Sequence, residues 1–144
     1  MKMTYRKGVF IATYRREGEK ILYLVLKRKL HWKGWEFPKG GVERGEDIKR
    51  GVRRELKEET GQKPLKIKEF RICGKYKYDR EYPDRKNLNG QTYKLFSAEI
   101  KNKGIRFDRR EHSSYKWLKF EKARNLLTWP NQRKCLGIVN RRLK

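Results

Sequence analysis

Glu55, Glu58 and Glu59 stand at positions i, i+3 and i+4 of the run Arg54-Glu55-Leu56-Lys57-Glu58-Glu59-Thr60-Gly61. On a helix this spacing puts the three carboxylates on one face, about one turn apart. Charges so placed repel one another unless a cation lies between them. Mg²⁺ or Mn²⁺ suits such a set, because these hard ions prefer carboxylate oxygens, keep several waters and bridge to substrate phosphates. The chemistry within reach is metal-assisted hydrolysis at phosphorus.

The acids need a helix to position them, and the surrounding residues predict one from about Asp47. Ile48, Val52 and Leu56 recur every four residues as an apolar stripe amid good helix formers. At about 100° per residue, Glu55 and Glu59 project close to that stripe and Glu58 lies on its flank, while Arg50, Arg53 and Lys57 point away. Gly51 shares the sector of the glutamates and leaves room there, and Gly61 can end the helix. A Lys/Glu-rich run is usually a solvated face. Here too many identities fall in register for that reading: Gly40, Glu46, Arg54, Glu55, Leu56, Glu58, Glu59 and Gly61.

That spacing, over residues 40–62, resembles the Nudix box, and the chain is identified as similar to the Nudix hydrolase family. Gln62 departs from the pattern at a place that is usually apolar. The resemblance implies an α/β fold with a central mixed sheet sandwiched between helices, and hydrolysis of a nucleoside diphosphate linked to another moiety. It implies metal ligation by Glu55, Glu58 and Glu59, with the main-chain carbonyl of Lys39 as a further ligand. Arg54 would orient the acids, Glu46 would complete the cluster and Gly40 would open the box. Either Glu55 or Glu111 would take the proton from the attacking water.

Two flanking stretches narrow the resemblance. Trp35-Glu36-Phe37-Pro38-Lys39-Gly40-Gly41 and the segment Glu111 to Leu118 are similar to the asymmetric dinucleoside tetraphosphate hydrolases, which implies cleavage of diadenosine tetraphosphate into ATP and AMP. RNA 5′-pyrophosphohydrolases are similar too, sharing a Gly-Gln before a late strand, here Gly90-Gln91, but usually with Gln where Lys39 stands. A non-catalytic nucleic-acid-binding module is the third reading. The acids weigh against it, since a simple binder of polyanions has no use for a carboxylate cluster.

The whole chain of 144 residues reads as one domain. Its net charge of +24 attracts polyanions, so a phosphate-rich substrate, and RNA along the basic surface, are the expected partners. A basic or heat-adapted proteome would produce the same surface without a dedicated partner. Cys73 and Cys135 are far apart and have no His/Cys cluster, so neither a disulfide framework nor a zinc site is indicated, and a reducing cytoplasm fits. No segment approaches membrane-spanning length, and Val9–Ala12 is too short for a signal-peptide core.

Tyr5–Tyr14 and Lys20–Arg28 read as a hairpin about Glu17-Gly18-Glu19, with a short strand about Trp35 and Phe37 ending at Pro38 before the glycine pair opens a loop. Strands are predicted over Leu65–Tyr78, Gln91–Ile100 and Tyr115–Phe120, and helices over Glu121–Leu127 and from Pro130 to about Arg142. The aperiodic stretch between Tyr78 and Gln91 reads as a long substrate-contacting loop. Around it, aromatics interleave with cations as a base and its phosphates would require. Lys39, Tyr76, Tyr93 and Lys94 are the candidate substrate-binding residues, with Tyr93 to stack on a base; core packing by strand tyrosines is the plainer alternative. His31 and His112 read as local hydrogen-bonding or packing residues.

Overall fold

The computed structural model describes residues 4–78, 80 and 82–144. In chain order the elements are β1 (Tyr5–Arg6), β2 (Gly8–Glu17), β3 (Lys20–Arg28), β4 (Gly34–Glu36), β5 (Lys39–Gly41), α1 (Ile48–Thr60), β6 (Lys66–Lys77), β7 (Gly90–Glu99), β8 (His112–Leu118), α2 (Phe120–Leu126) and α3 (Pro130–Leu143). A 3₁₀ turn at Pro83–Arg85 interrupts the long loop between β6 and β7.

Alternation along the strands divides the core in two. On one face Val9, Ile11, Leu24, Leu26, Phe96 and Ala98 meet Val52 and Leu56 of α1. On the other, Phe10, Ala12, Tyr14, Tyr23, Val25 and Leu95 meet Ala123 of α2 and Leu136 and Val139 of α3. The fold is thus an α/β/α sandwich about a mixed sheet. Val52 and Leu56 are fully buried, each stabilising the fold by roughly 1.5–3 kcal/mol, so the stripe that predicted the helix is what docks it.

The sheet is mixed because β2 and β1 both pair in parallel with β7, Val9 beside Lys94 and Tyr5 beside Gly90. Antiparallel partners complete it: β3 on β2, β4 and β8 on β3, β5 on β2 and β6 on β7. The predicted strand Tyr5–Tyr14 is broken at Lys7, whose carbonyl accepts the N–H of Val42 (2.8 Å). It then runs on to Glu17, which pairs with Lys20 around a two-residue turn in which Gly18 takes φ 61°.

Three other boundaries move. Gly40 and Gly41 are strand residues paired with Val9 and Gly8, so the loop before α1 begins at Val42. β8 starts at His112, because its polar first half pairs with the far end of β3, where no apolar alternation marks it. It ends before Phe120, which opens α2 and packs against Tyr23 (6.4 Å between ring centroids). The irregular alternation of Leu65, Ile67, Phe70 and Ile72 is a bulge: Glu69 lies opposite Phe96 and Cys73 opposite Lys94, so β6 spends extra residues there.

Candidate active site

Helix α1 starts after Asp47 and ends at Gly61, whose φ of 77° is left-handed and whose N–H closes on the carbonyl of Lys57 (2.8 Å). Glu55 and Glu59 are buried with the apolar stripe, while Arg50, Arg53, Lys57 and Glu58 face outward. Gln62 turns its unusual polarity inward: its side-chain amide donates to the carbonyl of Lys101 (3.3 Å) and accepts the N–H of Lys101 (3.1 Å). A Cβ on Gly51 would sit 3.1 Å from Oε1 of Glu46, so the room it leaves is used by the preceding loop.

Arg54 gathers the acids. Its Nε and Nη2 donate to the two carboxylate oxygens of Glu46 (2.8 and 2.9 Å), its Nη1 to Glu55 (2.9 Å) and Glu58 (3.5 Å), and its Nη2 also to the carbonyl of Gly41 (2.7 Å). The paired fork holds the Glu46 carboxyl down to about 2. Gly40 lies against Glu55 so closely that a Cβ there would come within 2.0 Å of the carboxyl carbon. Burial pushes Glu55 up to about 7 against the pull of Arg54. Glu59 is raised well above the usual carboxylate range by burial and by Glu36, Glu55 and Glu111 around it.

A second layer lies behind β5. The N–H of Lys39 donates to Oε2 of Glu59 (3.1 Å), and its ammonium lies 3.7 Å from Glu36 and 3.5 Å from the hydroxyl of Tyr76. Glu36 is fully buried, bonded to Arg28 (3.2 Å) and to His112 (2.7 Å). Lys39, His112 and Arg28 hold its carboxyl down to about 2 despite burial. Arg28 also approaches Glu111 (4.0 Å). Arg28 lies in none of the motifs, and Glu36 stands in the Trp35–Gly41 stretch without a role that spacing assigns. Their signal was parity: Arg28 continues the inward alternation of Leu24 and Leu26, and Glu36 pairs beside Leu26.

Glu111 stands just before β8 with its side chain 36% exposed, within reach of solvent. A carboxylate oxygen of Glu111, one of Glu59 and a ring nitrogen of His112 all lie within 4.8 Å of one another. These donors, with Glu55 and Glu58 held at the same helix by Arg54, fit a divalent ion. Two acids raised chiefly by burial and further by neighbouring carboxylates are the electrostatic condition that a bound cation relieves.

Beside this centre lies a cavity of about 440 Å³, lined by Lys39, Tyr76, Tyr78, Arg85, Trp32 and Trp129 among others. Trp32 and Trp129 meet edge to face (5.1 Å between centroids). The structure therefore brings Lys39 and Tyr76 together but places Tyr93 and Lys94 elsewhere. Tyr93 lies flat on Phe10 (4.0 Å, 8° between planes), in space left by Gly74, where a Cβ would meet its hydroxyl at 2.5 Å. Lys94 pairs with Glu69 (3.2 Å), and both Tyr93 and Lys94 border a second cavity with Lys7, Lys75 and Glu46. Tyr78 and Arg85 belong to the aromatics and cations that the sequence interleaves around the long loop, whereas Trp32 and Trp129 are lining residues it did not suggest.

A family model described as NUDIX domain matches residues 4–136. The chain is 30% identical over 136 residues to an RNA pyrophosphohydrolase of Bartonella bacilliformis, covering 83% of this chain and 80% of that protein. It is 29% identical over 138 residues to one of Nitratiruptor sp., covering 89% and 86%. Among solved structures, a C. elegans Ap4A hydrolase in a binary complex superposes with a TM-score of 0.78 at 22% identity, over 96% of this chain and 97% of that one. The NUDIX domain of Shewanella oneidensis NrtR, complexed with ADP ribose, superposes at 0.77 with 16% identity, over 100% and 91%.

Proposed function

From the premise that the chain belongs to the Nudix family and is a pyrophosphohydrolase, we propose that it removes pyrophosphate from the 5′ end of triphosphorylated RNA in a divalent-metal-dependent reaction. The observation that carries this reading is the aromatic cavity joined to the acid centre through one residue, Lys39, whose N–H touches Glu59 and whose ammonium touches Tyr76. A nucleoside seated against Tyr76 and Trp129 directs its 5′ phosphates past Lys39 toward the glutamates. The charge of +24 supplies a surface for the remaining phosphates of a chain, and the relatives at about 30% identity bear the same activity in their names.

Glu55, Glu58, Glu59, Glu111 and the carbonyl of Lys39 are the groups that would hold Mg²⁺ or Mn²⁺. The ion, when bound, neutralises phosphate oxygens and lowers the pKa of a bound water. This chain's own residues do the rest. Arg54 keeps Glu46, Glu55 and Glu58 in one arrangement, Lys39 and Arg85 face the polyphosphate, and Glu111 or Glu55 accepts the proton of the attacking water.

Diadenosine tetraphosphate is the second reading, favoured by the Pro38-Lys39-Gly40-Gly41 approach to the box. A competition panel at two salt concentrations, with triphosphorylated RNA, diadenosine tetraphosphate, nucleoside triphosphates and ADP-ribose, separates the two. RNA is expected to show the highest kcat/KM and a steep fall with salt, as counterions are released. A higher kcat/KM for the dinucleotide at both salts, with a shallow response, assigns the second reading instead.

A further inference from the structure

We propose that His112 is a nitrogen ligand of the metal centre, so that this chain prefers nitrogen-accepting divalent ions such as Mn²⁺ or Co²⁺ over Mg²⁺. The inference rests on the metal-dependent reading above and deepens it by naming the donor set.

The His112 side chain is wholly buried and bonds through Nε2 to Oε2 of Glu36 (2.7 Å). Glu36 also faces the guanidinium of Arg28 (3.2 Å) and the ammonium of Lys39 (3.7 Å). Flanked by those cations it is a carboxylate, which only accepts hydrogen bonds, so Nε2 is the ring nitrogen that donates to it and Nδ1 is the one left over. Nδ1 is buried and has no hydrogen-bond partner among the described residues. A buried polar atom left without a partner costs free energy, and native structures rarely leave one without a reason.

The surroundings supply a reason. Oxygens of Glu59 and Glu111 and a ring nitrogen of His112 lie within 4.8 Å of one another. Donors about an ion with bonds of about 2.1 Å stand roughly 3–4 Å apart, so small side-chain rotations close the set. Glu59 is anchored by the N–H of Lys39 (3.1 Å), and Glu111 stands on the partly exposed segment before β8. A carboxylate that fixes one ring nitrogen while the other binds metal is the arrangement by which ligating imidazoles are held in orientation. Two carboxylates alone suit Mg²⁺, whereas adding an imidazole shifts the preference toward transition ions.

Pulsed EPR on the full chain loaded with Mn²⁺ tests the assignment, with Mg²⁺ competition followed by the signal of free Mn²⁺. The expected result is a directly coordinated ¹⁴N coupling and Mn²⁺ binding at least about tenfold tighter than Mg²⁺. His112→Asn should abolish the coupling and weaken Mn²⁺ by roughly 10–100-fold, the range in which loss of even an orienting partner falls, with Mg²⁺ affinity changed less than about twofold on the oxygen-only set. Mn²⁺ bound without nitrogen coupling overturns the inference and leaves the metal-dependent reading standing. Absence of any divalent binding overturns both. Should His112→Asn fail to fold, the wild-type spectrum decides alone.

Discussion

The backbone N–H of Lys39 donates to Oε2 of Glu59 across 3.1 Å, tying strand β5 to helix α1 at a buried acid. Because the bond comes from the main chain, it survives replacement of the carboxylate by an amide whose oxygen still accepts. Glu59→Gln should therefore keep the fold, judged by circular dichroism, while losing divalent-dependent hydrolysis. Near wild-type turnover by the folded variant would remove Glu59 from the metal site.

The same acid sets the pH dependence of the metal-free protein. Glu55 is raised to about 7 from an ordinary 4.5, and Glu59 is raised as well, chiefly by burial. An acid whose folded pKa is raised favours the native state below its unfolded pKa, and that contribution is lost as pH rises through the folded value. Metal-free wild type should thus lose Tm between about pH 4.5 and 7, Glu59→Gln should lose less, and added Mn²⁺ should restore Tm most at the upper end. Thermal scans across pH with and without the ion check this; a Tm gain that shrinks as pH rises speaks against these acids as ligands.

Glu111 stands where solvent reaches it, near Glu59. As the base it gives Glu111→Gln a lower single-turnover rate with little change in substrate affinity. Unchanged rates across the pH range leave Glu55 as the proton acceptor.

Gly40 offers a steric test. A Cβ there would sit 2.0 Å from the Glu55 carboxyl carbon, and the obstructing atoms are the far end of a side chain that can swing away. Gly40→Ala should fold, shift Glu55, and lower kcat by about tenfold or more, since positioning errors near 1 Å can cost about 100-fold. Wild-type kcat would show that Glu55 needs no fixed seat.

Trp129 is 43% exposed yet lines the aromatic cavity against Trp32. Stacking of a base on such a ring contributes roughly 1–3 kcal/mol, so Trp129→Ala should lower kcat/KM by about 5–150-fold and leave Mn²⁺ affinity unchanged. An unaltered kcat/KM for every substrate in the panel would exclude the cavity as the nucleoside seat.

The acid helix was legible because its signal is local: stripe, carboxylates and terminating glycine occupy fewer than two dozen consecutive residues, and each is where periodicity puts it. Arg28 and Glu36 were not, because a polar residue in an alternating strand suggests a solvent face, and this sheet is covered by helices on both sides. The cavity was only partly legible for another reason. Trp32 and Trp129 come from segments that no spacing relates to the end of β6 and its following loop, which carry Tyr76, Tyr78 and Arg85. Tyr93 stands near the long loop in sequence, but strand parity and the gap at Gly74 tuck its ring onto Phe10.

The parallel seam between β2 and β7 has a kinetic consequence. Val9 sits beside Lys94 and Tyr14 beside Glu99, so β2 reaches its parallel partner only after β3 to β6 have been made. Until then the β2–β3 hairpin must persist with an open, strongly apolar edge. Non-local pairing of this kind slows folding and exposes aggregation-prone surface on the way. Helix α1 docks on the face this seam completes, through Val52 and Leu56 against Phe96 and Ala98. The acid cluster can therefore acquire its native spacing only once β7 has been made and closes the sheet beneath it.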